Sequence, residues 1–158
     1  MMARLTKYTT KLTAEKRVAL EKEISVNRPG IVDVIRSPED ANNVATGFIH
    51  LHEKSEEYLY MICLNTKNKI IGVFELSHGN VNSSIFSVRE MFQKALLANA
   101  VSIIVMHNHP SGDPTPSRED IMVTERAVEA GKLIGIDILD HIIIGDGRFC
   151  SLKERGNI

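Results

Sequence analysis

The spacing of apolar residues changes several times along this chain, and each change predicts an element. Residues 1–28 are polar, with few apolar positions. Thr13 can cap a helix there that runs to about Val26, with Leu20 and Ile24 as its sparse apolar side. Pro29-Gly30 ends it and marks the boundary between an N-terminal helical extension, residues 1–36, and a core domain, residues 37–158. A helix is expected from Ser37, where a Ser cap, Pro38 in the first position and Asp40 three residues after the cap agree. Ala41, Val44, Ala45, Phe48 and Ile49 keep helical spacing behind it.

From residue 58 the pattern shortens. Tyr58 to Leu64 and Ile70 to Leu76 are apolar stretches joined by Asn65-Thr66-Lys67-Asn68-Lys69, which predicts a β-hairpin. Helical spacing returns at Ser87, with Glu90 completing a capping box and Val88, Met91, Phe92, Ala95 and Leu96 as the buried stripe. Val101 to Met106 is apolar but for Ser102, and it reads as a buried central strand. Ser117 opens a helix to about Gly131, Ile136 to Ile144 gives a long strand, and Phe149 to Leu152 a short one. The fold class is α/β, a mixed central sheet flanked by helices.

Composition narrows the setting. At 158 residues the chain has the size of one domain and buries enough surface to need no disulfides. No apolar run approaches the roughly 20 residues that span a bilayer, and Met1 to Thr6 lack the apolar core of a secretory signal. Cys63 and Cys150 make neither a disulfide framework nor a Cys-x-x-Cys knuckle, which fits reduced thiols and a cytoplasmic location. The net charge of −1 argues against nucleic acid as a default partner. Residues 1–28 do hold seven Lys/Arg and three Asp/Glu, a surplus of +4 that leaves −5 for the rest. Such an arm can touch phosphates, although a solvated helix face explains it with fewer assumptions.

The segment that carries chemistry is Met106 to Asp120. His107 and His109 sit two apart at a strand end, so both imidazoles can leave on one face and converge on one ion. A loop with three of the chain's five prolines then leads to a helix whose first turn offers Asp120. Two neutral imidazoles and a carboxylate, with a fourth position left for water, form the ligand set of a catalytic zinc site. Ser117-x-x-Asp120 also suits a helix cap, and the two roles do not exclude one another. The literal tripeptide His107-Asn108-His109 is weak support for an HNH nuclease, a module that scatters its named residues over a ββα unit. His50 and His52 have the same spacing but end a predicted helix. Residues two apart on a helix point about 200° apart, so they cannot share an ion.

These residues resemble a family. His107-x-His109-Pro110, followed by Ser117 and Asp120, is similar to the signature of the JAMM (JAB/MPN) metalloproteases, and the flanking residues resemble its bacterial RadC-like branch. They include Asn82 to Ala100 (with Arg89-Glu90, Ala95-Leu96 and Asn99-Ala100), His107 to Gly112, Pro116-Ser117, Thr124, Ala130-Gly131, Leu139-Asp140-His141, and Ser151 with Glu154. The resemblance covers roughly residues 37–156. It implies a cytidine-deaminase-like fold and Zn²⁺ held by His107, His109 and Asp120. It further implies that Ser117 helps hold a tetrahedral oxyanion and that a Glu on an earlier strand is the general acid/base. Glu57 fits that place best by position, with Glu53, Glu56 and Glu75 as alternatives. RadC-like proteins often carry a DNA-binding helix-hairpin-helix region, and residues 1–36 hold no Gly-rich hairpin of that kind, so DNA is only weakly supported as a partner.

Three further readings stay open at this level. Asp140-His141 is either an outer pair that orients the site or contains a satisfied core histidine. Gly79 and Arg89 either shape a substrate groove or are a turn and a solvated helix face, and His78 reads as a loop residue. Functionally, the leading expectation is a zinc hydrolase of a peptide or isopeptide bond. The alternatives are a metal-bearing module that binds a protein terminus or DNA end, and a zinc hydrolase of a small molecule or nucleotide. Substrate and oligomeric state are not readable.

Overall fold

The computed structural model describes residues 1–79 and 87–158; Asn82, the first of the flanking residues noted above, lies outside them. In chain order the elements are β1 (Met2–Leu12), β2 (Val18–Pro29), α1 (Pro38–Gly47), a 3₁₀ turn (Leu51–Glu53), β3 (Tyr58–Leu64), β4 (Ile70–His78), α2 (Val88–Leu97), β5 (Ser102–Asn108), α3 (Arg118–Ile134), β6 (Asp137–Ile144) and β7 (Phe149–Ser151). The strands form one mixed sheet in the order β2-β1-β4-β3-β5-β6-β7. Only β1–β4 and β5–β6 are parallel neighbours.

Local chemistry starts the helices where the sequence indicates. Ser37 caps α1 by accepting from the Asp40 amide, while the Asp40 carboxylate accepts from the Ser37 amide, and Pro38 needs no partner for the N–H it lacks. The apolar stripe of α1 then packs on one face of the sheet with Leu5, Tyr60, Ile62, Val73, Met106 and Ile142. The opposite face is covered by α2 and α3, through Met91, Phe92, Ala95 and Ala127 against Leu59, Met61, Phe74, Ile103 and Val105. Strand β5 lies between β3 and β6 with every residue buried, which is why Ile103 to Met106 is an unbroken apolar run. Its even-numbered residues face α1 and its odd-numbered residues face α2 and α3. Helix α3 runs past the expected stop at Gly131 to Ile134, and Gly135 ends it at φ 84°.

The N-terminal expectation is overturned. Residues 1–36 are not a helical extension: β1 and β2 form a long antiparallel hairpin that adds to the edge of the sheet. The Lys/Glu-rich stretch has good helix propensity, but its charges pair across strands, Lys7 with Glu23 at 2.9 Å and Lys11 with Glu21 at 2.8 Å. Tertiary docking decides the outcome. Ala3 and Leu5 are buried, Lys7 and Tyr8 pair with Val73 and Phe74, and the Tyr8 ring stacks on Phe74 at 5.8 Å. A Cβ on Gly72 would lie 2.7 Å from that ring, so the bare backbone of β4 is what lets the hairpin seat.

Two smaller readings are also corrected. His50 and His52 are exposed, as expected, but they do not end α1; His50, at φ 56°, precedes the 3₁₀ turn. His78 is the last residue of β4 and not a loop residue; its ring stacks on Tyr58 at 4.9 Å and its Nδ1 lies 2.6 Å from Glu75 Oε1. Among the described residues, no helix is long and apolar enough to cross a membrane.

Because Leu5 is fully buried against the α1 face, Leu5→Ala is expected to destabilise the whole domain by about 2–5 kcal/mol in urea unfolding. A change under about half of one kcal/mol, the range of ordinary surface substitutions, would mean that the hairpin is not part of the cooperative core.

Candidate metal centre

The C-terminal end of β5 meets the N-terminus of α3. His107 is an odd-numbered residue of β5 and so points to the α3 side, where its side chain is buried. His109 follows the last strand residue, yet its amide still bonds to the Ile144 carbonyl at 2.9 Å and extends the ladder with β6. The two imidazoles therefore leave the backbone together. Their Nε2 atoms are 2.9 Å apart and the rings meet edge to face, with centroids at 4.7 Å.

Asp120 arrives from the other side. Its carboxylate accepts from the Ser117 amide at 2.7 Å while Ser117 Oγ accepts from the Asp120 amide at 3.1 Å, a complete capping box. The cap turns the remaining carboxylate valence towards the imidazoles: Oδ1 is 3.3 Å from His107 Nε2 and Oδ2 is 3.3 Å from His109 Nε2. One ligand atom from each of His107, His109 and Asp120 lies within 4.8 Å of the others. Two imidazole nitrogens and a carboxylate oxygen on so small a perimeter suit a borderline cation such as Zn²⁺ and leave a side open, since His109 is partly exposed.

The connecting loop is held firmly. His109 Nδ1 donates to the Asp113 carbonyl at 2.8 Å, which directs Nε2 inward, and the Gly112 amide donates back to the His109 carbonyl at 2.9 Å. The loop packs on the β6–β7 turn so closely that a Cβ on Gly145 would lie 2.5 Å from the Gly112 carbonyl oxygen and 2.7 Å from Pro114 Cδ. The turn returns a hydrogen bond from the Asp146 amide to Gly112.

Three residues give the site supports that sequence patterning alone missed or left undecided. Asn108, between the two histidines, points the opposite way. Its Oδ1 accepts from the Tyr58 amide at 2.7 Å and its Nδ2 donates to the Glu56 carbonyl at 2.9 Å, which pins residues 56–58 beside β5. His141 on β6 is completely buried with Nε2 2.7 Å from His107 Nδ1, and Thr124 on α3 lies 2.6 Å from His141 Nδ1. Asp140, by contrast, serves the C-terminal segment, accepting from Ser151 Oγ at 2.5 Å and from the Lys153 amide at 3.0 Å. So the Asp140-His141 pair divides: the histidine touches the site and the aspartate ties down the segment after β7. A polar residue inside an apolar strand was the available signal for both.

The electrostatics follow from this packing. Burial opposes the charge on Asp120, but the hydrogen bonds and charges of His107 and His109 and the Ser117 amide outweigh it and hold the carboxyl far below its ordinary range. The hydrogen bond to Asp120 raises the pKa of His109 against partial burial, helped by the Asp113 carbonyl and the charges of Asp120 and Glu57. Full burial pushes His141 well below the usual imidazole value.

The remaining candidates scatter. Ser117 is exposed at the start of α3 beside the carboxylate it caps. Glu57 is half-buried immediately before β3, two residues before Leu59, which pairs with His107. Glu75 is engaged by Tyr60 Oη at 3.0 Å, Lys7 at 3.7 Å and His78. Glu53 lies beside His50 and His52, and Glu56 is exposed. Arg89 is exposed on the first turn of α2, and Gly79, at φ 108°, donates its amide to the Glu57 carbonyl at 3.1 Å.

Comparison with known proteins gives the family. A family model described as the RadC-like JAB domain matches residues 35–157. A UPF0758 protein of Methanosarcina barkeri is 52% identical over 120 residues, covering 76% of this chain and 52% of that protein. One from Caldanaerobacter subterraneus subsp. tengcongensis is 48% identical over 139 residues, covering 88% of this chain and 59% of that protein. One from Bacillus licheniformis is 54% identical over 123 residues, covering 78% and 54%. The chain thus spans about half the length of the curated relatives it matches.

A metal ion and a proton compete for His109. Because the His109 pKa is raised, its proton is held to higher pH than that of an ordinary imidazole, so zinc affinity is expected to fall as pH drops through that raised value. Below it, chelator competition should read a loss of roughly tenfold per pH unit, the signature of one displaced proton. A flat profile between about pH 8 and pH 6, the span that brackets ordinary imidazole titration, would remove His109 from the ligand set.

Proposed function

The chain belongs to the RadC-like JAB domain family, and from that premise we propose that it is a zinc-dependent hydrolase that cleaves a peptide or isopeptide bond. The observation that carries the proposal is the convergence of His107 Nε2, His109 Nε2 and the Asp120 carboxylate on one partly open position. An ion bound there supplies Lewis acidity and lowers the pKa of water at its open position to about 7.

The other parts belong to the chain. Glu57 is assigned as the general base that takes a proton from the attacking water and returns it to the leaving amine. Its support is threefold: it is half-buried next to the strand pair that carries His107, its backbone neighbours are fixed by Asn108, and its charge is felt by His109. Glu75 is already committed to three partners and Glu53 stands with a different pair of histidines, so neither competes well. Ser117 Oγ spends a lone pair on the Asp120 amide and keeps its own proton, which suits it to donate to a developing oxyanion at the rim of the site. The exposure of Ser117 and the partial exposure of His109 leave that rim open to a polypeptide.

Elemental analysis and turnover of lysine-isopeptide conjugates test both halves. Wild-type protein is expected to hold about one zinc per chain, and His109→Ala and Asp120→Ala much less. Glu57→Gln is expected to keep the zinc while losing about 10²–10⁴-fold in kcat. Zinc-loaded wild type that cleaves neither peptide nor isopeptide conjugates would overturn the substrate assignment. Full activity in Glu57→Gln would overturn that residue's role.

A further inference from the structure

Behind His107 runs a row of buried polar atoms whose protons have one consistent arrangement when both imidazoles are neutral. Asp120 O is 2.6 Å from Thr124 Oγ1, Thr124 Oγ1 is 2.6 Å from His141 Nδ1, and His141 Nε2 is 2.7 Å from His107 Nδ1. The carbonyl at the end of the row can only accept, so the single hydroxyl proton of Thr124 goes to it. Thr124 Oγ1 then has only lone pairs to offer His141, and His141 Nδ1 must carry the proton between them. A second proton on His141 would place a charge on a fully buried ring whose hydrogen-bond partners among the described residues are an imidazole and a hydroxyl, with no carboxylate, so His141 Nε2 is a lone pair. His107 Nδ1 is therefore the donor, and once that ring is neutral its Nε2 is left without a proton. That atom is the one that lies 2.9 Å from His109 Nε2 and 3.3 Å from Asp120 Oδ1.

We infer that Thr124 and His141 are positioning residues: through this one-way row they hold the His107 imidazole in its Nδ1–H tautomer, with the Nε2 lone pair turned to the metal position. The inference rests on the metal-centre reading above and adds how one ligand is prepared for it. The row also closes a ring. It starts at the backbone carbonyl of Asp120 and ends at His107, whose far nitrogen faces the carboxylate of the same Asp120. The first turn of α3 and the end of β5 are thereby held together on both sides of the site. A metal-bound histidine more often donates to a carboxylate, a backbone carbonyl or water. A neutral imidazole in that role fixes the tautomer without adding negative charge, so a bound ion would keep more of its polarising power than a carboxylate partner would leave it.

Nitrogen-resolved NMR of the imidazoles reads the tautomers directly. The metal-free wild type is examined about two pH units above the ordinary imidazole value, where neutral rings dominate. His107 and His141 are both expected as Nδ1–H tautomers. Thr124→Val keeps the shape but removes the hydroxyl. It is expected to let both rings populate the other tautomer and to weaken zinc binding by about 10–100-fold in chelator competition. Thr124→Ser is expected to restore both readouts, which a purely packing role for Thr124 would not do. A wild-type His107 found with its proton on Nε2 overturns the inference without any variant. So does a folded Thr124→Val protein with wild-type tautomers and wild-type zinc affinity. A wild type that shows the expected tautomers but takes up no zinc supports the row and overturns the metal reading, so the two failures are separable.

Discussion

The Asp120 carboxylate is the group on which the rest of this structure turns. A carboxylate removed from water is costly unless hydrogen bonds and opposite charge replace its hydration. Here the Ser117 amide donates at 2.7 Å and two imidazole nitrogens lie 3.3 Å away, and each contact fixes something different. The amide starts α3, the His107 contact fixes the helix against the central strand, and the His109 contact fixes the loop between them. A helix cap and a cation site normally draw on separate residues. In this chain one side chain caps the helix and also belongs to the group that could hold a cation, so the position of the candidate site is set by the secondary structure itself rather than by a flexible loop.

Much of this was legible from sequence wherever one local rule decided the outcome. Ser37 and Ser117 announced their helices because a cap needs only a side chain and an amide three residues on. Strand β5 announced itself because burial on both faces leaves no polar alternation. The N-terminal hairpin was illegible for the converse reason. Its Lys and Glu residues satisfy a helix about as well as a strand pair, and the deciding contacts, Leu5 in the core and Tyr8 over Gly72, lie far away in sequence. Propensity is a weak prior, and here tertiary packing overrode it.

The site divides along the same line. His107, His109 and Asp120 could be gathered from spacing and resemblance because strand and helix geometry place them. Their supports were legible only in part: the resemblance included Thr124 and His141, and an orienting role was one of two readings of Asp140-His141, but the roles of Asn108, Thr124 and His141 lie in contacts between elements that no local period reveals. Asn108 is the sharpest case. It reads as the middle letter of a tripeptide, yet it faces away from its neighbours and organises the segment that carries Glu57.

The close seating of the proline loop on the β6–β7 turn has a thermodynamic corollary. Because Gly145 and Gly112 already touch and His109 is already braced by Asp113, an ion entering this position finds its walls built. Zinc fingers fold around their metal, and for them binding energy is folding energy. Here little apolar surface is left to bury on binding, so occupancy should carry almost no heat-capacity change. The chain would behave as a preformed receptor whose selectivity resides in its rigidity.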